Sequence, residues 1–291
     1  MDRRGFLGTI TAATLLSRKL AWAADDRKIE KIGLQLYTVR SEMKKDFEGT
    51  LAKVAEIGYR EVEFAGYFGQ SPQDVRKILD RNKLDAPSAH VDYDTLGEKW
   101  PAVLDTAKVI GHSYIVCPWI PEEIRKQPDG WKKAAETFSR AAEASQKAGI
   151  QFAYHNHHFE FVPVNGKLPY DILLKETDPN LVKMEMDLCW ITVAGQDPLT
   201  YFARYPGRFP LVHVKDIKKI PQKTASDKGW VPFERIMPDM TDVGSGIIDW
   251  KRIFAQSDKA GIKHYFVEHD EPKSPFDSIR NSYIYLHNLR F

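Results

Sequence analysis

The sequence predicts a single-domain α/β fold, a (β/α)8 barrel. Short apolar runs alternate eight times with segments whose apolar residues recur at helical spacing. Four of these runs end in carboxylate or imidazole groups, which can meet at one site only if the strands are parallel and adjacent. No Ser/Gly tract or block of like charges divides the chain into two parts. One closed barrel accounts for all three observations.

The elements follow in a regular order. The eight predicted strands span residues 32–36, 61–65, 86–91, 114–117, 150–155, 182–187, 211–214 and 265–268. The predicted helices span residues 46–57, 72–81, 100–110, 130–148, 170–176, 198–204, 250–260 and 275–289. An open doubly wound sheet is the competing architecture, but it usually has a Gly-rich turn after its first strand. Residues 35–40 contain no glycine, and this absence favours the barrel.

The N-terminus has the features of an export signal. Asp2-Arg3-Arg4-Gly5-Phe6-Leu7 is a twin-arginine pattern. It is followed by an apolar run at 8–16 and, at 21–24, by the small residues of a signal-peptide cleavage site. The apolar run is too short to span a bilayer, which takes about 20 residues. The sequence therefore predicts a twin-arginine signal peptide at 1–23 and a barrel at 24–291. The mature protein is expected to be periplasmic or exported by the twin-arginine route.

Composition indicates which partners to expect. With 42 basic and 40 acidic residues, the net charge of +2 gives no electrostatic reason to expect nucleic acid or stable membrane association after signal cleavage. We expect a small-molecule carbohydrate as the partner, and the sequence leaves a homo-oligomer open. The two cysteines, Cys117 and Cys189, could form a disulfide, but two buried free thiols are favoured because a core of this size does not need a bridge.

The ends of strands five to eight predict a divalent metal site. His155, Asp187, His213 and Glu268 are the predicted ligands, a mixed set of nitrogen and oxygen donors that suits a divalent cation. Lys215 shares a strand face with His213 and is predicted to be catalytic, as a proton donor or oxyanion stabiliser. The alternative role for Glu268 is a buried salt bridge with Lys215. The alternative for His213 is a structural histidine in the core, with its ring nitrogens hydrogen-bonded.

Further candidates surround these ligands. His157 is predicted to contact substrate and take part in catalysis, and Glu160 is predicted to be either a catalytic carboxylate or the fourth ligand in place of His155. His90, at the end of strand three, is another predicted catalytic residue. Glu185 shares a face with Asp187 and is expected one layer deeper, in a salt bridge.

Polar and aromatic residues at the other strand ends predict a sugar site. Gln35, Tyr37, Glu63 and Trp119 are the predicted substrate-binding residues. Sugars require aromatic rings for their C–H faces and hydrogen-bonding groups for their hydroxyls. Packing at the rim is the alternative role for the two aromatic side chains.

The order of motifs resembles the xylose isomerase-like TIM barrel superfamily, the sugar phosphate isomerase/epimerase group. The matching motifs are YHNH-x-FEF at 154–161, Met-Asp-x-x-Trp at 186–190, His-Val-Lys-Asp at 213–216, V-G-x-G-x-I-D-W at 243–250 and Phe-Val-Glu at 266–268. The resemblance covers the mature chain. It implies a cation (Mn, Mg or Zn) held by Glu, Asp, His and Glu. Asp187, His213 and Glu268 match three of these ligands, and His155 replaces the first Glu.

The resemblance implies a metal-dependent isomerase or epimerase acting through an enediolate on a non-phosphorylated sugar or keto-sugar. The first alternative is a lyase or dehydratase that eliminates a β-substituent from a 3-keto-glycoside or inosose-like substrate, because His155 resembles the residue found in such members. The second is a non-catalytic periplasmic sugar-binding barrel. An unusually long segment at 217–248 could form a lid or be a solvated loop.

Overall fold

The computed structural model describes residues 26–227 and 229–291. The predicted signal peptide lies outside these residues and stays a prediction. The strands of the described part are β1 Ile32–Gln35, β2 Glu61–Phe64, β3 Asp85–His90, β4 Tyr114–Cys117, β5 Gln151–His155, β6 Val182–Asp187, β7 Leu211–Val214, β8 Asp216–Ile217, β9 Met240–Thr241 and β10 His264–Val267. Eight of them pair in parallel in a closed ring, in the order β1-β10-β7-β6-β5-β4-β3-β2, so the predicted barrel is confirmed.

Helices connect the strands on the outside of the ring. The α-helices of the described part are Arg40–Lys45, Phe47–Ile57, Pro72–Asn82, Trp100–Ile110, Glu122–Arg125, Gly130–Lys147, Pro169–Glu176, Leu188–Val193, Pro198–Arg204, Phe233–Ile236, Trp250–Phe254, Ser257–Ala260 and Pro275–Asn288. Most predicted bounds lie within one residue of the structure, and two differences are informative. The predicted helix 250–260 is two helices, and Leu36 begins a 3-10 turn instead of ending the first strand. No Pro or Gly marks the break after Phe254.

The inside of the ring is packed beneath the polar strand ends. Phe266 on β10 lies in this interior cluster, whereas its neighbour Tyr265 packs outward against Phe254 at a ring distance of 5.2 Å. A Cβ on Gly33 of β1 would lie 2.5 Å from the Phe266 ring, so glycine leaves room for that ring. The ring centre of Phe266 lies 6.4 Å from that of His213, and the packed interior therefore supports the predicted site from below.

The long segment after β7 is tied back to the barrel at both ends. β8 and β9 form a two-stranded antiparallel sheet. The buried carboxylate of Asp216 accepts hydrogen bonds through Oδ2 from the backbone N–H groups of Gly244 (2.9 Å) and Gly246 (3.2 Å) and from the indole N–H of Trp250 (3.1 Å). Residues 217–248 are therefore an anchored insertion.

Cys117 and Cys189 are buried free thiols in the structure, in line with the favoured alternative. Burial raises the pKa of both, to about 12 for Cys117, so neither is a reactive thiolate at neutral pH. Among the described residues, no helix combines the length and apolar character needed to cross a membrane.

Candidate active site

The ends of β6, β7 and β10 place three predicted metal ligands side by side. Asp187 ends β6 in register with His213 on β7, and Glu268 directly follows β10. His213 Nδ1 lies 2.7 Å from Glu268 Oε2 and 3.9 Å from Asp187 Oδ2. His155 Nε2, at the end of β5, lies 3.9 Å from the same Asp187 oxygen. The structure therefore brings the four predicted ligands together.

Glu185 lies among three imidazoles. It precedes Asp187 by two residues on β6, so it lies deeper in the ring. Its Oε2 is 2.7 Å from His90 Nε2, 3.1 Å from His155 Nδ1 and 3.2 Å from His213 Nε2. Ligand atoms of these four residues all lie within 4.8 Å of one another, as do those of Asp187, His213 and Glu268. The expected deeper salt bridge is present, but the sequence analysis missed Glu185 as a candidate ligand.

Negative charge exceeds positive charge in this cluster. Its carboxylates belong to Glu63, Glu185, Asp187, Glu268 and Asp270. The ammonium of Lys215 supplies one positive charge, and the protonated imidazole of His90 supplies another. A histidine that binds a metal is neutral, so with His213 as a ligand three negative charges remain without a partner, and a buried charge is costly unless it is paired. One divalent cation would offset two of these charges.

Two carboxylate oxygens of the cluster are available to such a cation. Glu185 Oε1 is buried and accepts no hydrogen bond. Asp187 Oδ2 is also buried and lies 3.3 Å from Lys215 Nζ, whereas Asp187 Oδ1 accepts a hydrogen bond from the backbone N–H of Trp190 at 2.7 Å. Buried polar oxygens without a partner are uncommon. Together with the nearby imidazole nitrogens they form a set that suits a divalent metal. The residues therefore fit the predicted cation, while its identity as Mn, Mg or Zn stays a prediction.

A cavity of about 600 Å³ opens above the cluster. This volume lies within the range of pockets that hold small molecules. The predicted site residues that line it are Tyr37, His90, Trp119, His155, His157, Lys215 and Glu268. Asp187 and His213 are fully buried and lie behind this lining.

Two aromatic side chains at the cavity are each backed by an arginine. Tyr37 and Trp119 are 41% and 36% exposed, unusually high for large rings. The Arg40 guanidinium lies 3.9 Å from the centre of the Tyr37 ring, and that of Arg125 lies 5.0 Å from the centre of the Trp119 ring. Cation–π contacts of this kind fix the plane of each ring. Both rings are therefore held ready for a stacking ligand, and their contact with sugar stays a prediction.

Two of the three histidines that line the cavity, His90 and His157, have pKa values shifted in opposite directions. Burial disfavours the charged form of His90, but Glu63 and Glu185 outweigh this effect and raise its pKa to about 9. Burial, with Lys215 nearby, holds the pKa of His157 well below its usual range. At neutral pH, His90 is therefore protonated and His157 is neutral.

Lys215 is charged despite its burial. Burial favours the neutral amine, but the carboxylates of Asp187, Asp270 and Glu268 hold its pKa well above the usual range. Its Nζ lies 2.8 Å from Asp270 Oδ2 and 2.9 Å from Glu268 Oε2. The predicted oxyanion-stabilising role requires such a fixed positive charge at the cavity wall.

Gln35 and Glu63 do not contact the cavity, contrary to the prediction for substrate-binding residues. Both are fully buried, and Gln35 Nε2 donates a hydrogen bond of 2.7 Å to Glu63. The two residues are paired in register across β1 and β2, so their side chains meet each other inside the ring. Glu63 also lies 2.7 Å from His213 Nε2. They support His213 from below and do not form the cavity wall.

Glu160 also lies away from the cavity. Its carboxylate accepts hydrogen bonds from the Tyr154 hydroxyl at 2.5 Å and from the backbone N–H of His157 at 3.0 Å. Burial raises the pKa of Glu160 to about 7. The chain turns back in a 3-10 helix at Phe159–Phe161, which directs this side chain to the outer face of β5. The structure therefore supports neither role predicted for Glu160, ligand or catalytic carboxylate.

The sequence analysis missed several residues of the cavity wall, and three of them lie close to the predicted chemistry. Asp270, Trp190 and Phe233 all line the cavity. Asp270 lies two residues beyond Glu268, and the shared parity of these positions was an available signal. Trp190 closes the Met-Asp-x-x-Trp motif, and its ring centre lies 5.1 Å from Lys215 Nζ. Phe233 belongs to the insertion, where no periodic pattern indicates an inward direction.

The insertion packs onto the end of β5. His158 Nε2 donates a hydrogen bond of 2.8 Å to the carbonyl oxygen of Val231, and the Phe233 ring lies 4.8 Å from the His158 ring. Trp230 also packs on His158, at 5.1 Å. Phe233 and Met237 are the insertion residues that reach the cavity, rather than Trp230. The insertion therefore contributes to the cavity wall.

Comparison with known proteins gives consistent matches. A model of the family described as "Xylose isomerase-like TIM barrel" matches residues 51–284. An inosose dehydratase of Geobacillus kaustophilus (strain HTA426) is 28% identical over 229 residues, 71% of this chain and 74% of the relative. An inosose dehydratase of Lacticaseibacillus casei is 24% identical over 266 residues, 82% of this chain and 88% of the relative.

Solved structures agree with these matches. A sugar phosphate isomerase/epimerase from Parabacteroides distasonis ATCC 8503 is similar, with a TM-score of 0.72 and 26% identity over 89% of this chain and 98% of that chain. The family model covers most of the barrel, and the closed ring of eight parallel strands agrees with it. The chain therefore belongs to the xylose isomerase-like TIM barrel family.

Proposed function

We propose that the protein is a divalent-metal-dependent carbon–oxygen lyase that eliminates a β-substituent from a keto-sugar or inosose-like substrate. The observation that carries this proposal is the placement of His90 and His157 on the wall of the cavity beside the predicted metal ligands, with the pKa of His90 raised and that of His157 lowered. An elimination needs a base for the C–H bond and an acid for the departing oxygen, and this pair supplies both. The resemblance to inosose dehydratases supports elimination over the isomerase or epimerase reaction that the sequence analysis ranked first.

In the proposed reaction, His157 removes the proton beside the substrate carbonyl. Its ring lines the cavity, and its lowered pKa leaves the imidazole neutral and able to accept a proton. The electron pair of the broken C–H bond forms a double bond to the carbonyl carbon, and negative charge develops on the oxygen. The ammonium of Lys215, fixed by Glu268 and Asp270, stabilises that charge.

The second half of the reaction breaks the bond to the departing oxygen. The electrons of the enolate return to the carbonyl, a carbon–carbon double bond forms, and the C–O bond on the next carbon breaks. His90 donates its proton to the leaving oxygen, which departs as water or an alcohol. A divalent cation, held by His155, Asp187, His213 and Glu268, would supply Lewis-acid polarisation of the carbonyl when bound.

Product analysis tests the proposal against its two alternatives. The mature protein is incubated with Mn and an inosose or a 3-keto-glycoside in deuterated water, and products are followed by NMR and mass spectrometry. If the reaction is an elimination, the product has the mass of the substrate less one molecule of water or alcohol. A product of unchanged composition with deuterium at the α-carbon would instead indicate an isomerase or epimerase. Binding without deuterium exchange or product would indicate a sugar-binding barrel.

Histidine variants test the assigned roles. We expect His157→Gln and His90→Gln each to lower kcat by about 100-fold or more, the usual contribution of a positioned acid or base. His287→Gln, a change on the exposed face of the last helix, is the matched control and should leave kcat unchanged. A kcat within threefold of wild type for both cavity variants, roughly 0.6 kcal/mol, would contradict the proposed pair.

We also propose export of the folded protein through the twin-arginine route, on the basis of residues 1–23. Replacing both Arg3 and Arg4 by Lys should retain the precursor in the cytoplasm. Cell fractionation with mass spectrometry of the mature N-terminus measures this, and normal export of the double variant would contradict it.

A further inference from the structure

One carboxylate oxygen of Glu185 lies close to three imidazole nitrogens, while the other oxygen has no partner. Glu185 Oε2 lies 2.7 Å from His90 Nε2, 3.1 Å from His155 Nδ1 and 3.2 Å from His213 Nε2. Glu185 Oε1 is buried and accepts no hydrogen bond. A carboxylate that only accepts hydrogen bonds has about four lone-pair positions, divided between its two oxygens. Hydrogen bonding alone therefore does not explain why all three nitrogens meet at one oxygen.

The spacing of these four atoms is that of metal ligands. Ligand atoms bound at about 2.0–2.1 Å to a tetrahedral zinc ion lie about 3.3 Å from one another. The three distances around Glu185 are close to this value, and all four atoms lie within 4.8 Å of one another. His90 and His155 also line the cavity, which gives an ion a path to this position.

The described residues contain two sets of candidate ligands. The outer set is Asp187, His213 and Glu268, and the inner set is His90, His155, Glu185 and His213. His213 belongs to both sets, but a neutral imidazole has one lone pair and binds one ion. When His213 Nδ1 binds an ion of the outer set, the inner set keeps two imidazoles and one carboxylate. The two sets can therefore hold an ion each at the same time.

His155 lies between the two sets. Its Nε2 lies 3.9 Å from Asp187 Oδ2, and its Nδ1 lies 3.1 Å from Glu185 Oε2. With one ion bound, its lone pair on Nε2 serves the outer set. With a second ion bound, the lone pair on Nδ1 serves the inner set. This exchange is a change of tautomer, because both nitrogens already face their respective sets.

Two divalent ions also balance the charge of the cluster. Its five carboxylates and the ammonium of Lys215 leave four negative charges when the histidine ligands are neutral. One divalent cation offsets half of this charge, and two offset all of it. Because unpaired buried charge is costly, the cluster favours a second cation.

We propose that the protein binds a second divalent ion of the zinc class through His90, His155 and Glu185, and that this ion inhibits the reaction. Imidazole-rich sets suit zinc, whereas the two carboxylates of the outer set suit Mn or Mg. A histidine that binds an ion is neutral, so His90 no longer supplies its proton to the leaving oxygen. The inner site is independent of the proposed function, whereas the inhibition rests on it.

The number of bound zinc ions tests the site. Metal-free protein is titrated with zinc, and bound zinc is counted by equilibrium dialysis with mass spectrometry. We expect about two ions per chain for the wild type and about one for Glu185→Gln, which keeps the size of the side chain but not its charge. His90→Gln, a change on the cavity wall, should also bind about one. A single ion in the wild type, or two ions in either variant, would overturn the inner site.

Glu61→Gln is the matched control. Glu61 is also a buried carboxylate paired with an imidazole, 2.9 Å from His264 Nδ1. It begins β2, so it lies at the opposite end of the barrel from the cavity. This variant should bind about two zinc ions, as the wild type does. If it also loses an ion, the loss in Glu185→Gln does not identify a ligand and the assignment is overturned.

Kinetics with excess zinc test the inhibition. As zinc rises from about one to about two ions per chain, kcat of the wild type should fall about 100-fold or more, the usual contribution of a positioned acid. Glu185→Gln should keep the kcat that it has with one ion. Two bound ions with an unchanged kcat would overturn the inhibition. If none of the keto substrates is turned over, the proposed function fails, while the zinc count still decides the inner site.

Discussion

Replacing Asp216 by Asn should loosen the return of the insertion to the barrel. The buried carboxylate accepts hydrogen bonds from the indole of Trp250 and from the backbone N–H groups of Ile217, Gly244, Gly246 and Ile248. Asn has one acceptor oxygen. If that oxygen takes the place of Oδ2, the three donors to Oδ2 keep their acceptor. The N–H groups of Ile217 (2.9 Å) and Ile248 (3.4 Å) then face an NH2 group instead of Oδ1.

The two lost hydrogen bonds set the magnitude. A hydrogen bond to a charged group contributes about 1.5–3 kcal/mol, and the longer one to Ile248 lies at the weak end. We therefore expect Asp216→Asn to lower the free energy of unfolding by about 3–5 kcal/mol. Urea denaturation followed by circular dichroism measures this change. Hydrogen exchange at Ile217 and Ile248 should also become faster.

Asp249→Asn is the matched control for this experiment. Asp249 Oδ1 accepts a hydrogen bond of 3.0 Å from the backbone N–H of Arg252 at the start of the helix Trp250–Phe254. Asn caps helices about as well as Asp, so this change should cost less than about 0.5 kcal/mol. If Asp216→Asn costs no more than the control, the carboxylate does not anchor the insertion and the reasoning is refuted.

Three further predictions concern pH, packing and metal. The folded state binds the Glu160 proton more tightly than the unfolded state between about pH 4.5 and 7, so this group lowers stability by about 3 kcal/mol as pH rises through that window. Glu160→Gln should flatten this slope in urea unfolding at about pH 5 and pH 8, and an unchanged slope contradicts it. Gly33→Ala should cost about 1–3 kcal/mol in thermal unfolding, because its Cβ would lie 2.5 Å from Phe266. Asp187→Ala and His213→Ala should lose bound metal and activity together, and full metal occupancy in both would refute the site.

The barrel was predictable because its strands are buried on both faces. Such strands are nearly continuous apolar runs, and their ends are marked by a change to polar residues, as at Asp187. The short helices have no comparable mark in the sequence at their ends. The helix Leu188–Val193 begins directly at the end of β6, with Asp187 as its N-cap, so strand and helix merge in the sequence. The sequence pattern therefore located the strands better than the single-turn connections.

The direction of a side chain was predictable, but its depth was not. Gln35 and Glu63 point into the ring, as a site residue must, yet a polar residue near a strand end does not show how far it lies below the cavity. That depth depends on register, which pairs Gln35 with Glu63 and Glu63 with Ser88. Glu160 failed for another reason, since it lies past the strand end, where a 3-10 turn reverses its direction. Register and turn geometry are long-range properties that one sequence does not specify.

His155 changes the chemistry of the site because it is neutral. Burial lowers its pKa well below the usual range, as do the nearby positive charges of His213 and Lys215, and Glu185 lies 3.1 Å from its Nδ1. A glutamate here would add another buried negative charge to a cluster in which carboxylates already outnumber cations. Two opposed carboxylates can remove a proton from one face of a carbon and return it to the other, which is what epimerisation requires. The ligand set that the family resemblance implies contains two glutamates, and His155 replaces the first of them. Under the proposed function, the enolate therefore expels the neighbouring oxygen with the proton of His90.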